Sequence, residues 1–62
     1  MTIAIDAQIA EVKREIGMRY AVYSRRVEAG KMKQETADHL IATMQAVVES
    51  LEDHKRLQEA KL

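Results

Sequence analysis

The sequence predicts an all-α protein, an antiparallel two-helix hairpin that dimerises into a four-helix bundle. Apolar residues recur every three or four positions through most of the chain, which is the period of one helix face. The composition also suits long helices or a coiled coil, because 32% of residues are charged, proline is absent and glycine occurs only at Gly17 and Gly30. One helical-hairpin domain over residues 1–62 is therefore expected.

The first helix is predicted over about residues 4–29. Its apolar stripe recurs at helical spacing and consists of Ile5, Ile9, Val12, Ile16, Tyr20, Tyr23 and Val27. Both tyrosines belong to this stripe, so we expect their rings in the core and their hydroxyls at its edge. Gly17 lies off the stripe, and it is either a tolerated interior glycine or the mark of a bend or close helix contact.

The chain is predicted to reverse at Gly30, because a glycine just past a helix end adopts the left-handed conformation without steric cost. The second helix is predicted over about residues 33–58. Its apolar stripe consists of Ala37, Leu40, Ile41, Met44, Val47, Val48 and Leu51. A short connection makes the two helices antiparallel neighbours.

Self-association is predicted from the size of the chain. A domain this small buries only about 60% of its unfolded surface, and the absence of cysteine excludes stabilisation by disulfides. The first helix also carries apolar residues away from its stripe, chiefly Met18 and Val22. We expect a homodimer, with higher oligomers or a monomer that exposes Met18 and Val22 as alternatives. The predicted interface residues are Ile5, Ile9, Met18, Val22 and Tyr23.

Charge is separated along the chain although the net charge is zero. Residues 13–33 contain seven cations and two anions, whereas residues 34–53 contain five anions and no cation. One interpretation is a basic surface that binds nucleic-acid phosphate, beside a tyrosine that stacks on a base. The candidate phosphate-binding residues are Arg19, Arg25, Arg26, Lys31 and Lys33. The favoured interpretation is charge pairing between helices or subunits, because nucleic-acid binders usually carry a basic total charge.

Catalysis and metal binding have little support in the sequence. The chain lacks a cysteine nucleophile, a glycine-rich phosphate loop and a nucleophile elbow. Glu35 and His39 stand one helical turn apart, but a metal site needs three or four ligands. We therefore expect a protein that is not an enzyme and that holds no cofactor or metal. A weaker alternative is an oligomer that sequesters a nucleotide signal at a subunit interface lined by Arg19 and Tyr23.

Targeting signals are not recognisable. The apolar start of the chain is interrupted by Asp6 and lacks the basic residues that open a signal peptide. No apolar stretch approaches the roughly 18 residues that a membrane-spanning helix requires. A cytoplasmic location is therefore expected.

The residues around the turn resemble a widespread group of short proteins encoded by bacteriophages and prophages. The shared pattern runs Glu-Ile-x-Met-Arg, Val-Tyr, Val-x-x-Gly-x-Met, Ala-Asp and Ile-x-x-Met. The matching residues are Glu15, Ile16, Met18, Arg19, Val22, Tyr23, Val27, Gly30, Met32, Ala37, Asp38, Ile41 and Met44. Many members carry Pro-Arg-Trp where this chain has Ser24, Arg25 and Arg26.

The resemblance implies a phage or prophage origin, a location in the host bacterial cytoplasm and an accessory role, without implying a particular activity. Together with the spare apolar residues, it suggests a self-associating protein that acts by binding another macromolecule. The expected partner is another protein, either a host enzyme or defence factor or a phage recombination or packaging protein, and the sequence does not choose among these. Nucleic acid is the alternative.

Overall fold

The computed structural model describes residues 2–60 as two α-helices packed side by side in an antiparallel hairpin. Helix α1 spans Ile5–Glu28 and helix α2 spans Gln34–Ala60. The described part of the chain contains no strand, and it measures 50 × 21 × 15 Å. The predicted two-helix hairpin is confirmed, and the observed helix bounds lie close to the predicted ones.

The turn between the helices is built on Gly30, as predicted. Gly30 has a φ of +73°, and its N–H donates to the carbonyl oxygen of Val27 at 3.0 Å. The N–H of Lys31 donates to the carbonyl oxygen of Arg26 at 2.9 Å. This pair of hydrogen bonds is the Schellman motif, which satisfies the last carbonyl groups of a helix and turns the chain away from its axis.

The charges at the ends of α1 match the helix dipole. Asp6 lies in its first turn, and Arg25 and Arg26 lie in its last turn. Neither helix in the described residues combines the length and the apolarity needed to cross a bilayer.

The core is a single narrow seam between the two helices. Its buried side chains are Ile9, Ala37, Ile41 and Val48. Half-buried apolar residues flank them: Ile5, Val12, Ile16, Tyr23 and Val27 on α1, and Met44 and Leu51 on α2. No described side chain is completely enclosed, because each helix in a one-layer hairpin has only one neighbour.

Three residues predicted on the core-facing stripes are exposed instead. Tyr20 is 54% exposed, and Leu40 and Val47 are 36% and 41% exposed. The expectation that both tyrosines lie in the core is therefore correct for Tyr23, which is half-buried, and wrong for Tyr20. The physical reason is that each apolar stripe is wider than the strip of helix surface that one neighbouring helix can bury. Residues at the edge of the stripe therefore stay exposed.

Candidate interaction surface

The two broad faces of the hairpin differ in polarity. On one face, the groove between the helices is lined by Ile3, Ala7, Gln8, Glu11, Val12, Val47 and Leu51. On the opposite face, it is lined by Lys13, Ile16, Gln45, Val48 and Glu49. We call the first the apolar face, defined by the four α2 residues Leu40, Met44, Val47 and Leu51, and the second the polar face.

Helix α2 carries two overlapping apolar rows. Ala37, Ile41 and Val48 face α1 and are buried. The second row consists of Leu40, Met44, Val47 and Leu51, spaced by four, three and four residues. That spacing is the seam pattern of a coiled-coil helix, and the row holds no charged residue. Leu40 and Val47 remain exposed, so α1 covers this second row only in part.

The row of α1 that borders the apolar face is largely polar. It consists of Gln8, Val12, Glu15, Arg19, Val22 and Arg26, again spaced by four and three residues. Gln8 and Val12 line the same groove as Val47 and Leu51, which places this row on the apolar face. Its acidic residue Glu15, with neighbouring Glu11, lies toward the open end of the hairpin, and Arg19 and Arg26 lie toward the turn.

Arg19 is held on this row by its neighbours. Its Nε lies 3.4 Å from Oε1 of Glu15, one helical turn away. Hydrogen bonding to Tyr23, and then to Glu15, raises the pKa of Arg19 above its ordinary value. The guanidinium therefore stays charged and lies at the edge of the core with its stem partly covered.

The predicted interface residues fall into two groups. Met18 and Val22 are 51% and 42% exposed, and their contact with another chain stays a prediction. Ile9 is buried against α2, and Ile5 and Tyr23 are half-buried there, so these three serve the core of the hairpin. Their contact with a second chain stays a prediction.

Leu40 and Val47 are the two aliphatic residues of the predicted core-facing stripes that are exposed. A signal for them is present in the sequence: Leu40 precedes the buried Ile41, and seven residues later Val47 precedes the buried Val48. Two adjacent apolar residues repeated at seven-residue spacing cannot both face one neighbouring helix. Such doublets therefore indicate an apolar stripe wider than one neighbouring helix covers.

The candidate phosphate-binding residues are only partly brought together. Arg25, Arg26, Lys31 and Lys33 are all exposed at the turn end of the hairpin. Within residues 2–60, none of these four side chains forms an ion pair. Arg19 stands apart, about two helical turns from the end of α1 and paired with Glu15.

Tyr20 is exposed, but it lies away from the Arg19 row. It lines a hollow with Ser24, Gln34 and Asp38, toward the polar face of the hairpin. Tyr20 therefore does not provide a stacking platform beside Arg19 and Arg26.

Charge pairing between the helices is concentrated at the open end. Nζ of Lys55 lies 2.6 Å from Oδ1 of Asp6, and Nζ of Lys13 lies 3.8 Å from Oε2 of Glu52. The hydrogen bond with Asp6 is the main reason that the pKa of Lys55 is raised. All four side chains are substantially exposed, so these pairs align the helices more than they stabilise them.

Metal-ligand side chains do not converge in the part of the chain that the structure describes. No three His, Asp or Glu residues there come close enough to hold an ion, and Glu35 and His39 are both exposed on the first turns of α2.

Comparison with known proteins adds no relative: no protein family, curated protein or solved structure matches this chain.

Proposed function

We propose that this protein is a non-enzymatic accessory protein of phage or prophage origin that self-associates and acts by binding another macromolecule. The apolar face is the observation that supports self-association. It presents a continuous apolar row on α2, and Val22 of α1 borders it. Soluble monomers rarely expose contiguous apolar surface of this kind, and such surface usually marks an interaction site.

The shape of the hairpin supports binding over catalysis. The described chain is 15 Å across in its thinnest dimension, and the hollows between its helices open to solvent. Catalytic sites generally need a cavity that excludes water and fixes the reacting groups. We place the partner, a host or defence protein, in the bacterial cytoplasm.

Sedimentation velocity over a wide range of protein concentrations tests the self-association. We expect a sedimentation coefficient that rises with concentration toward that of a dimer or a larger assembly. A labelled DNA duplex added at low salt should sediment separately. A monomer at every concentration would contradict the proposal.

Binding of a host protein is tested by affinity capture from bacterial lysate. Met18 and Val22 are exposed apolar residues of α1, so the variant Met18→Glu/Val22→Glu should lose the captured protein. The control Gln45→Glu adds one negative charge on the polar face and should retain it. Equal capture by both variants would contradict a role for this side of α1.

Nucleic-acid binding is the second candidate. It is favoured by the four cations at the turn, which form no ion pair within residues 2–60. It predicts an affinity for DNA or RNA that falls steeply with salt, because phosphate binding releases counterions. Arg25→Glu/Arg26→Glu should abolish that affinity, and Lys13→Glu, on the polar face far from the turn, should retain most of it. Binding without a salt dependence would contradict this candidate.

A nucleotide-sequestering oligomer is the weaker alternative. It requires Arg19 and Tyr23 to meet a ligand at a subunit interface, and the two residues stand one helical turn apart on α1. A ligand that binds only the folded protein raises its melting temperature. Unchanged melting with cyclic nucleotides would contradict this alternative.

A further inference from the structure

We propose that the apolar face is covered by a second copy of this chain in antiparallel orientation, so that the two turns lie at opposite ends of a four-helix bundle. This inference rests on the proposed self-association. It adds which face the two copies share and how the two hairpins are oriented. Two aligned two-fold arrangements can bring the same face of two hairpins together. In the parallel one, α1 of each copy lies on α2 of the other. In the antiparallel one, like helices lie together.

The antiparallel arrangement pairs the apolar row of α2 with itself. A two-fold axis midway between Met44 and Val47 places Leu40 against Leu51 of the partner subunit. It also places Met44 against Val47 of the partner subunit. The row holds no charged residue from Leu40 to Leu51, so this contact buries apolar side chains against one another and leaves no ion without a partner.

The same axis makes the charged row of α1 complementary to itself. Leu51 lies at the level of Val12, with which it shares a groove, and Leu40 lies near the level of Val22. Exchanging Leu40 with Leu51 therefore exchanges Val22 with Val12, and it brings Arg26 within about one helical turn of Glu11 of the partner subunit. Arg19 comes within about one turn of Glu15 of the partner subunit. Arg19 thus meets Glu15 at the centre of the row and Arg26 lies close to the acidic end of the partner's helix, which favours this orientation.

The parallel arrangement lacks this complementarity. It places Arg19 and Arg26 of α1 against the uncharged row of α2 in the other copy. Covering these cations with apolar side chains removes water and supplies no acidic partner beyond Glu15, which already pairs with Arg19 in its own helix, so this arrangement is unfavourable. The distribution of charge on α1 and its absence from the α2 row therefore select the antiparallel pairing.

Substitutions at two adjacent exposed positions of α2 test the surface. Val47→Glu places a charge on the apolar face, whereas Ala46→Glu places the same charge on the outer side of the helix. We expect Val47→Glu to abolish association in sedimentation experiments and Ala46→Glu to retain it. The reverse result would overturn the assignment of the face.

Charge reversal tests the complementarity of α1. Arg26→Glu and Glu11→Lys should each weaken association by about tenfold or more, because each change creates two repulsive contacts per dimer. The double variant Arg26→Glu/Glu11→Lys should recover most of that loss. Arg25→Glu, one residue off the row, should change association little and should not rescue Glu11→Lys. Failure of the double variant to recover would contradict the pairing of Arg26 with Glu11.

A distance measurement decides the orientation without disturbing the interface. The chain has no cysteine, so Lys31→Cys accepts a single spin label at the turn. At 1.5 Å per residue, the two turns lie about 40 Å apart in the antiparallel dimer and within about 20 Å in the parallel one. A dimer with the short distance overturns the orientation and leaves self-association standing. A monomer contradicts both proposals.

Discussion

At the scale of single residues, Gly30 and Gly17 differ in backbone conformation, because Gly30 has a positive φ and Gly17 is helical. Gly30 holds a positive φ of +73°, a conformation that costs any other L-residue about 1–2 kcal/mol. Gly17 lies inside α1, and a Cβ built there meets no atom within 4 Å. Gly17 therefore fits the interpretation of a tolerated glycine within the hairpin.

Gly17→Ala should stabilise the protein by about 1 kcal/mol, because alanine restricts the unfolded chain more and fits the helix at no steric cost. Circular dichroism should show a melting temperature about 4–8 °C higher. Gly30→Ala is the matched control, and its melting temperature should fall. A lower melting temperature for Gly17→Ala would instead show that a second chain approaches this glycine closely.

The pair between Lys55 and Asp6 is a residue-scale link between the helices. The folded-state pKa of Lys55 is raised, mainly by hydrogen bonding to Asp6 and less by Glu59. A raised lysine pKa contributes stability that is fully present below the unfolded pKa and is lost as pH rises through the folded pKa. This contribution is therefore intact at neutral pH and disappears only in strongly alkaline solution.

Titration of the Lys55 side chain by NMR checks this assignment. Asp6→Asn should move the pKa of Lys55 back toward its ordinary value. Glu59→Gln, which removes a more distant carboxylate on the same helix, should move it less. Equal shifts in the two variants would show that Asp6 does not dominate.

At the scale of the helices, Leu40 and Ile41 separate the two contact rows of α2. Ile41 is buried against α1 and its neighbour Leu40 is exposed on the apolar face. Ile41→Ala should cost about 2–5 kcal/mol, as deletions of buried branched side chains do. That loss is large for so small a core, so helix content should fall at every protein concentration.

Leu40→Ala is the matched comparison on the neighbouring row. If Leu40 packs against a second copy, its truncation weakens association, and the lost helix content should return as protein concentration rises. Circular dichroism of both variants over a concentration series distinguishes the two rows. A defect in Leu40→Ala that does not depend on concentration would contradict its place at an interface.

Much of the hairpin follows from the sequence, because its signals are local. The three-to-four spacing predicts both helices, and Gly30 alone predicts where the chain reverses. The sequence does not tell which apolar row faces α1, since Leu40 and Ile41 fit a helical period equally well. Which row faces α1 depends on the angle at which the two helices pack. The same packing angle leaves Tyr20 exposed.

At the scale of the whole molecule, the narrow core predicts that folding depends on association. Only Ile9, Ala37, Ile41 and Val48 are buried among residues 2–60. Domains of this size gain little net stability from one hydrophobic core. Unless a second hairpin covers Leu40, Met44, Val47 and Leu51, these side chains contribute little to holding the helices.

Helix content should therefore fall on dilution. For a dimer that unfolds to two separate chains, each tenfold dilution lowers the apparent free energy of unfolding by about 1.4 kcal/mol per dimer. Circular dichroism melts should thus shift to lower temperature across a hundredfold dilution, and Val47→Glu should melt at one low temperature throughout. A wild-type melting temperature independent of concentration would mean that the single hairpin is stable alone, with its apolar face left for a different protein.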